Sequence, residues 1–160
     1  MTPVGSASDS CVGVSMGRSS VKRLVFPSDL GESAKALQAV LADVRANGFS
    51  EIAFFAIRLA LDEALSNAVR HGNGGDPAKH VTIEYNISDR AFEASVTDEG
   101  LGFAPNQIPD PTQQENLDRP CGRGVMLMKA YMSRVSFNKQ GNQVTLIKNR
   151  DCVLPDGGKK

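Results

Sequence analysis

Two stretches, "VTIEYNI" at 81–87 and "AFEASVT" at 91–97, alternate apolar and polar residues with a period of two and are parted only by "SDR". That pattern demands an antiparallel hairpin with one apolar face, carried by Val81, Ile83, Tyr85 and Ile87 opposite Phe92, Ala94 and Val96. An apolar sheet face must be covered, and the chain supplies its cover upstream. Leu30, Ala34, Leu37, Leu41 and Val44 recur at helical spacing, as do Phe54, Ile57, Leu61, Leu65 and Ala68. A first strand, "VKRLVFP", stops at Pro27; Ser28 is placed to cap the first helix, with Asp29 and Glu32 in its first turn. Asn47–Gly48 ends that helix and Ser50 caps the next. Downstream, "GVMLMKAYM" reads as a helix, and "RVSFN" and "QVTLIKN" as a second hairpin. The pattern predicts an α+β fold, a two-layer α/β sandwich whose mostly antiparallel mixed sheet has helices on one face.

A chain of 160 residues is long enough for one domain with its own core. The expected organisation is a disordered, Ser/Gly-rich N-terminal tail over 1–20, a folded domain over 21–150 and a C-terminal tail over 151–160. Eighteen basic residues balance eighteen acidic ones with no basic run, so nucleic acid is not an expected partner. Cys11, Cys121 and Cys152 form neither a disulfide framework nor a zinc pattern, which favours a reducing, cytoplasmic setting. No apolar run reaches membrane-spanning length, and the first residues do not read as an export signal.

Three segments carry candidate chemistry. In "LALDEALSNAVRHGN" (59–73), at about 100° per residue, Glu63 and Asn67 lie about 40° apart and Arg70 within about 20° of Glu63. Leu61, Ala64, Leu65 and Ala68 point the other way, so Glu63, Asn67, Arg70 and His71 share one polar stripe. Such a stripe serves either as an ordinary solvated face or as a site where a carboxylate and an amide converge on a metal or nucleophile. In "DEGLGF" (98–103), Asp98 ends a strand and can accept a hydrogen bond from an exocyclic amine, while Gly100 and Gly102 admit close approach; a plain turn is the alternative. In "CGRGVMLM" (121–128), Gly122 and Gly124 open a helix whose free N–H groups suit phosphate, with Arg123 beside them; a hinge is the alternative. From Asp98 to Arg123 the chain is rich in Gly, Pro, Asn and Gln, a connection of about 25 residues that is longer than most loops.

In their order and spacing these segments resemble the GHKL (Bergerat-fold) ATP-binding superfamily, with "EALSNAVRHGN" as the N box and "DEGLGF" and "GRGVMLM" as the two glycine boxes. The resemblance covers about residues 21–150 and is most similar to the stand-alone anti-sigma-factor serine kinases. It implies that Asn67 coordinates Mg²⁺ on the phosphates of ATP and that Glu63 is the general base toward a serine hydroxyl. It further implies that Asp98 holds the adenine amine, Gly100 and Gly102 give the base room, and Gly122, Arg123 and Gly124 receive the phosphates. Arg70 and His71 are candidates for phosphate contact and Thr145 for a hydroxyl near the adenine; the loop from Ala104 to Pro120 would be the lid.

The implied activity is that of an ATP-dependent serine/threonine-protein kinase that binds a sigma factor and phosphorylates a small, STAS-like antagonist on serine. The alternative is a nucleotide-regulated module that sequesters a partner without transferring phosphate. The resemblance also offers a homodimer, whose interface is not legible in the sequence.

Overall fold

The computed structural model describes residues 20–102 and 120–150, with the side chains of 120–123 outside the description. The expected tails and lid therefore lie outside the described residues, except for Ser20 and Pro120. The elements are β1 (Lys22–Pro27), α1 (Leu30–Ala46), α2 (Glu51–Asn67), a π-helical turn (Ala68–Gly72), β2 (His80–Ile87), β3 (Ala91–Thr97), α3 (Pro120–Tyr131), β4 (Arg134–Phe137) and β5 (Gln143–Asn149). The sheet order is β1-β2-β3-β5-β4. Every pairing among the described residues is antiparallel, so the sheet is less mixed than the sequence pattern suggests.

Period-two alternation sets the register. Ile83 faces Val96 across β2–β3, Ala94 faces Leu146 across β3–β5, and these side chains point toward the helices. There they meet Val40 and Val44 of α1 and Ile57 and Leu61 of α2 in one core cluster. Each such side chain removed from water contributes about 1.5–3 kcal/mol, which is what fixes the helices to one face.

Local signals explain the helix ends. Ser50 accepts a hydrogen bond from Ala53 N and caps α2 as expected. The cap of α1 is one residue later than expected: Asp29 accepts from Glu32 N at 3.0 Å, and Ser28 is buried instead. An exposed carboxylate at the cap also meets the positive end of the helix, which frees Ser28 for an interior role. Across the far end of the sheet, Asp43 of α1 accepts from Tyr85 Oη at 2.5 Å and from Lys22 Nζ at 2.6 Å, tying α1 to β1 and β2.

Candidate functional site

Helix α2 carries Glu63 and Asn67 one turn apart, both half-buried beside α3. A small residue on α3 makes this possible. A Cβ on Gly124 would stand 2.9 Å from Glu63 Oε2 and 2.9 Å from Asn67 Nδ2. The carboxylate and the carboxamide therefore converge on one point of α3. Helix α3 begins at Pro120, before the Gly-x-Gly that was expected to open it, so Gly122 and Gly124 lie within its first turns.

Beyond Asn67 the helix widens. Asn73 N donates to Ala68 O and Gly75 N to Val69 O, bonds longer in sequence than the α-helical kind. A π turn advances the chain by less rotation per residue, so the stripe drawn for an ideal helix does not continue. Arg70 is exposed and is not among the residues lining the cavity described below; His71 is exposed but lines it.

Alternation along β3 points Phe92, Ala94 and Val96 inward, and Asp98, two residues further, faces the same side. There it lines a cavity of about 560 Å³ bounded by α2, the π turn, α3 and the ends of β3 and β5. That size suits a small organic ligand. Val96, Val125, Met128 and Val144 form apolar walls, and Asn67, Lys79, Asp98 and Asn142 are among the polar groups.

Asp98 is held on several sides. Its N donates to Asn142 O at 2.9 Å, its O accepts from Asn142 Nδ2 at 3.1 Å, and its Oδ1 accepts from Gly100 N at 2.8 Å. Gly72 presses against its carboxylate: a Cβ there would lie 2.2 Å from Oδ2. Burial raises the Asp98 carboxyl above the usual carboxylate range, opposed by the Gly100 N–H and the Lys79 ammonium. Oδ2 accepts no hydrogen bond from any described residue.

Gly102, at φ +78, also lines the cavity, and a Cβ there would stand 1.9 Å from Gln140 O. Thr145 goes elsewhere. Its neighbours Val144 and Leu146 are buried toward the helices, so Thr145 faces the opposite side of the sheet and hydrogen-bonds Ser95 at 3.1 Å. The Arg123 side chain lies outside the described residues. Sequence reasoning missed Asn73, Lys79, Asn142 and Gln143, all of which line the cavity. Asn142 could have been found from its parity with Val144 once β5 was drawn; Asn73 gave no signal beyond that of a helix-ending residue.

Among the described residues no three His, Cys, Asp or Glu side chains gather to hold a metal by themselves, and no helix is long and apolar enough to cross a membrane. A model of the histidine kinase-like ATPase domain matches residues 26–148. The chain belongs to this family. A histidine kinase-like ATPase domain uses ATP.

Similar proteins include the serine-protein kinase RsbW of Listeria innocua, 26% identical over 111 residues, which cover 63% of this chain and 69% of that one. The anti-sigma F factor of Geobacillus thermodenitrificans is 32% identical over 94 residues, covering 57% of this chain and 64% of that one. The crystal structure of the RsbU and RsbW domains of a Mycobacterium tuberculosis protein matches the fold of this ATPase domain with a TM-score of 0.55 at 17% identity. That match covers 82% of this chain and 32% of the other.

Proposed function

We propose that the protein is an ATP-dependent serine/threonine-protein kinase acting as an anti-sigma factor in a partner-switching system, with a sigma factor and a small antagonist protein as its partners. The antagonist is the phosphoryl acceptor. The observation that carries this reading is the convergence of Glu63 and Asn67 on Gly124, with Asn67 reaching the wall of the same cavity that Asp98 lines. Adenine recognition needs only the Asp98 end; a carboxylate kept at the phosphate end is what phosphoryl transfer to a hydroxyl requires. The names of the similar proteins, a serine-protein kinase and anti-sigma F factors, support the same reading.

In this mechanism Asp98 accepts from the adenine amine, and Gly122 and Gly124, within the first turns of α3, belong to the phosphate side of the site. Glu63 takes the proton of the acceptor serine hydroxyl as its oxygen bonds to the γ-phosphorus and the bond to the ADP oxygen breaks. The donor set fits Mg²⁺, which takes one or two protein oxygens together with substrate phosphates and water. Asn67 would hold that ion, which when bound neutralises phosphate charge. His71, at the cavity wall, is a further phosphate-side contact.

The test is transfer of label from γ-labelled ATP to small proteins of the source cell's lysate, wild type beside Glu63→Ala. Labelling on serine by wild type, reduced about 10²- to 10⁴-fold in the variant with ATP binding retained, is the expected result. Equal labelling by both moves the base to another residue. No transfer by either, with ATP bound, leaves a module that sequesters its partner.

A further inference from the structure

Asn73 follows directly on the π turn, is only 2% exposed, and spends its whole side chain on three other segments. Its Oδ1 accepts from Glu99 N at 2.7 Å, and its Nδ2 donates to His80 O at 3.0 Å and to the buried Ser28 hydroxyl. Glu99 Oε2 in turn accepts from His80 N at 3.0 Å. Asn73, His80 and Glu99 thus close a ring of hydrogen bonds, which Ser28 anchors to the junction of β1 and α1. This ring holds the residue next to Asp98 in the chain, while the π turn that delivers Asn73 also sets Gly72 against the Asp98 carboxylate. The Asp98 side chain is therefore aimed from two directions by consecutive residues, Gly72 and Asn73.

We propose that Asn73 is a positioning residue for nucleobase selection: through Glu99 N it fixes the turn that aims Asp98 at the base. The inference rests on the reading of Asp98 as the group that holds the adenine amine. Guanine presents an acceptor oxygen where adenine presents that amine, and an ionised carboxylate is an acceptor only, so a fixed Asp98 favours ATP over GTP. Once the turn is loosened, Asp98 contributes less to ATP binding while GTP, which never gained from it, is unaffected.

The experiment measures ATP and GTP dissociation constants by calorimetry, with thermal unfolding alongside, for wild type, Asn73→Leu, Asn73→Asp and Asp98→Asn. Asn73→Leu removes every bond at similar volume, and the expected result is an ATP affinity about tenfold weaker with GTP affinity unchanged within about twofold. Asn73→Asp keeps an oxygen for Glu99 N but loses both donors; it is expected to unfold at lower temperature than wild type yet retain the ATP preference. If the Leu chain does not fold, Asn73→Ser, too short to reach Glu99 N, replaces it with the same expectation. An unchanged preference in the Leu or Ser chain, parallel loss of both nucleotides, or a preference lost equally in the Asp chain overturns the proposal. Unchanged ATP affinity in Asp98→Asn overturns instead the reading on which it rests.

Discussion

The two parts of the proposed nucleotide site are built on opposite plans. At the proposed phosphate end the candidate groups are tips of side chains on one helix, Glu63 and Asn67 a turn apart, and a Cβ on Gly124 would meet those side chains first. At the base end the functional group is gripped by backbone: a Cβ on Gly100 would stand 1.9 Å from Gly72 O, and Asp98 N and O are both bonded to Asn142. Tips of side chains can give way, whereas backbone pinned within a sheet and a π turn cannot. The base end is therefore part of the fold, and the phosphate end is mounted on it.

The sharpest test of that contrast is Gly100→Ala. With a backbone oxygen in the way, its expected cost is about 3 kcal/mol or more in urea unfolding, with loss of ATP binding. A fully stable Gly100→Ala chain would break the comparison. Asp98→Asn should weaken ATP binding by about 1–3 kcal/mol, read by calorimetry, while leaving the fold intact.

Gly124→Ala should behave differently from Gly100→Ala. Its stability should stay within about 1 kcal/mol of wild type, since alanine is the better helix former by about that amount and offsets the displacement of Glu63 and Asn67. Phosphoryl transfer should nevertheless fall by about tenfold, the scale of a misplaced catalytic group, in a single-turnover assay with labelled ATP.

The smallest effect is expected far from both ends. Burial, and then the bond to Asp43, push the Tyr85 hydroxyl well above its ordinary value. A group held above its unfolded pKa contributes stability that is fully present below about pH 10 and is lost as the pH rises from there. Tyr85→Phe should cost about 0.5–1.5 kcal/mol at neutral pH, and its unfolding free energy should decline less steeply than wild type's above about pH 10.

The sequence announces the candidate groups at both ends and is nearly silent about what holds Asp98 in place, for the same reason. Helical spacing is local, so Glu63 and Asn67 could be aligned from the letters alone, and period-two alternation gave the two hairpins and put Asp98 at a strand end. What escaped depends on contacts distant in sequence. Asn142 is 44 residues from the Asp98 oxygen that it bonds, and Asn73 is 45 residues from Ser28, whose burial also undid its expected role as a helix cap. The π turn escaped because it is an irregular continuation of a helix whose ideal geometry put Arg70 beside Glu63. Thr145 was misplaced by one residue of parity: it lies between Val144 and Leu146, which face the core, and so belongs to the outer side of the sheet.

The bond between Asn142 and Asp98 also has a consequence for how the molecule is made. A ribosome releases Glu63, Asn67 and Asp98 well before it releases Asn142, which follows α3 and β4 and comes just before β5. Until that late segment has emerged, Asp98 has Gly72 and Gly100 against its carboxylate but lacks both of its backbone bonds to Asn142. The cavity wall itself is completed only when Gly141 to Val144 have emerged.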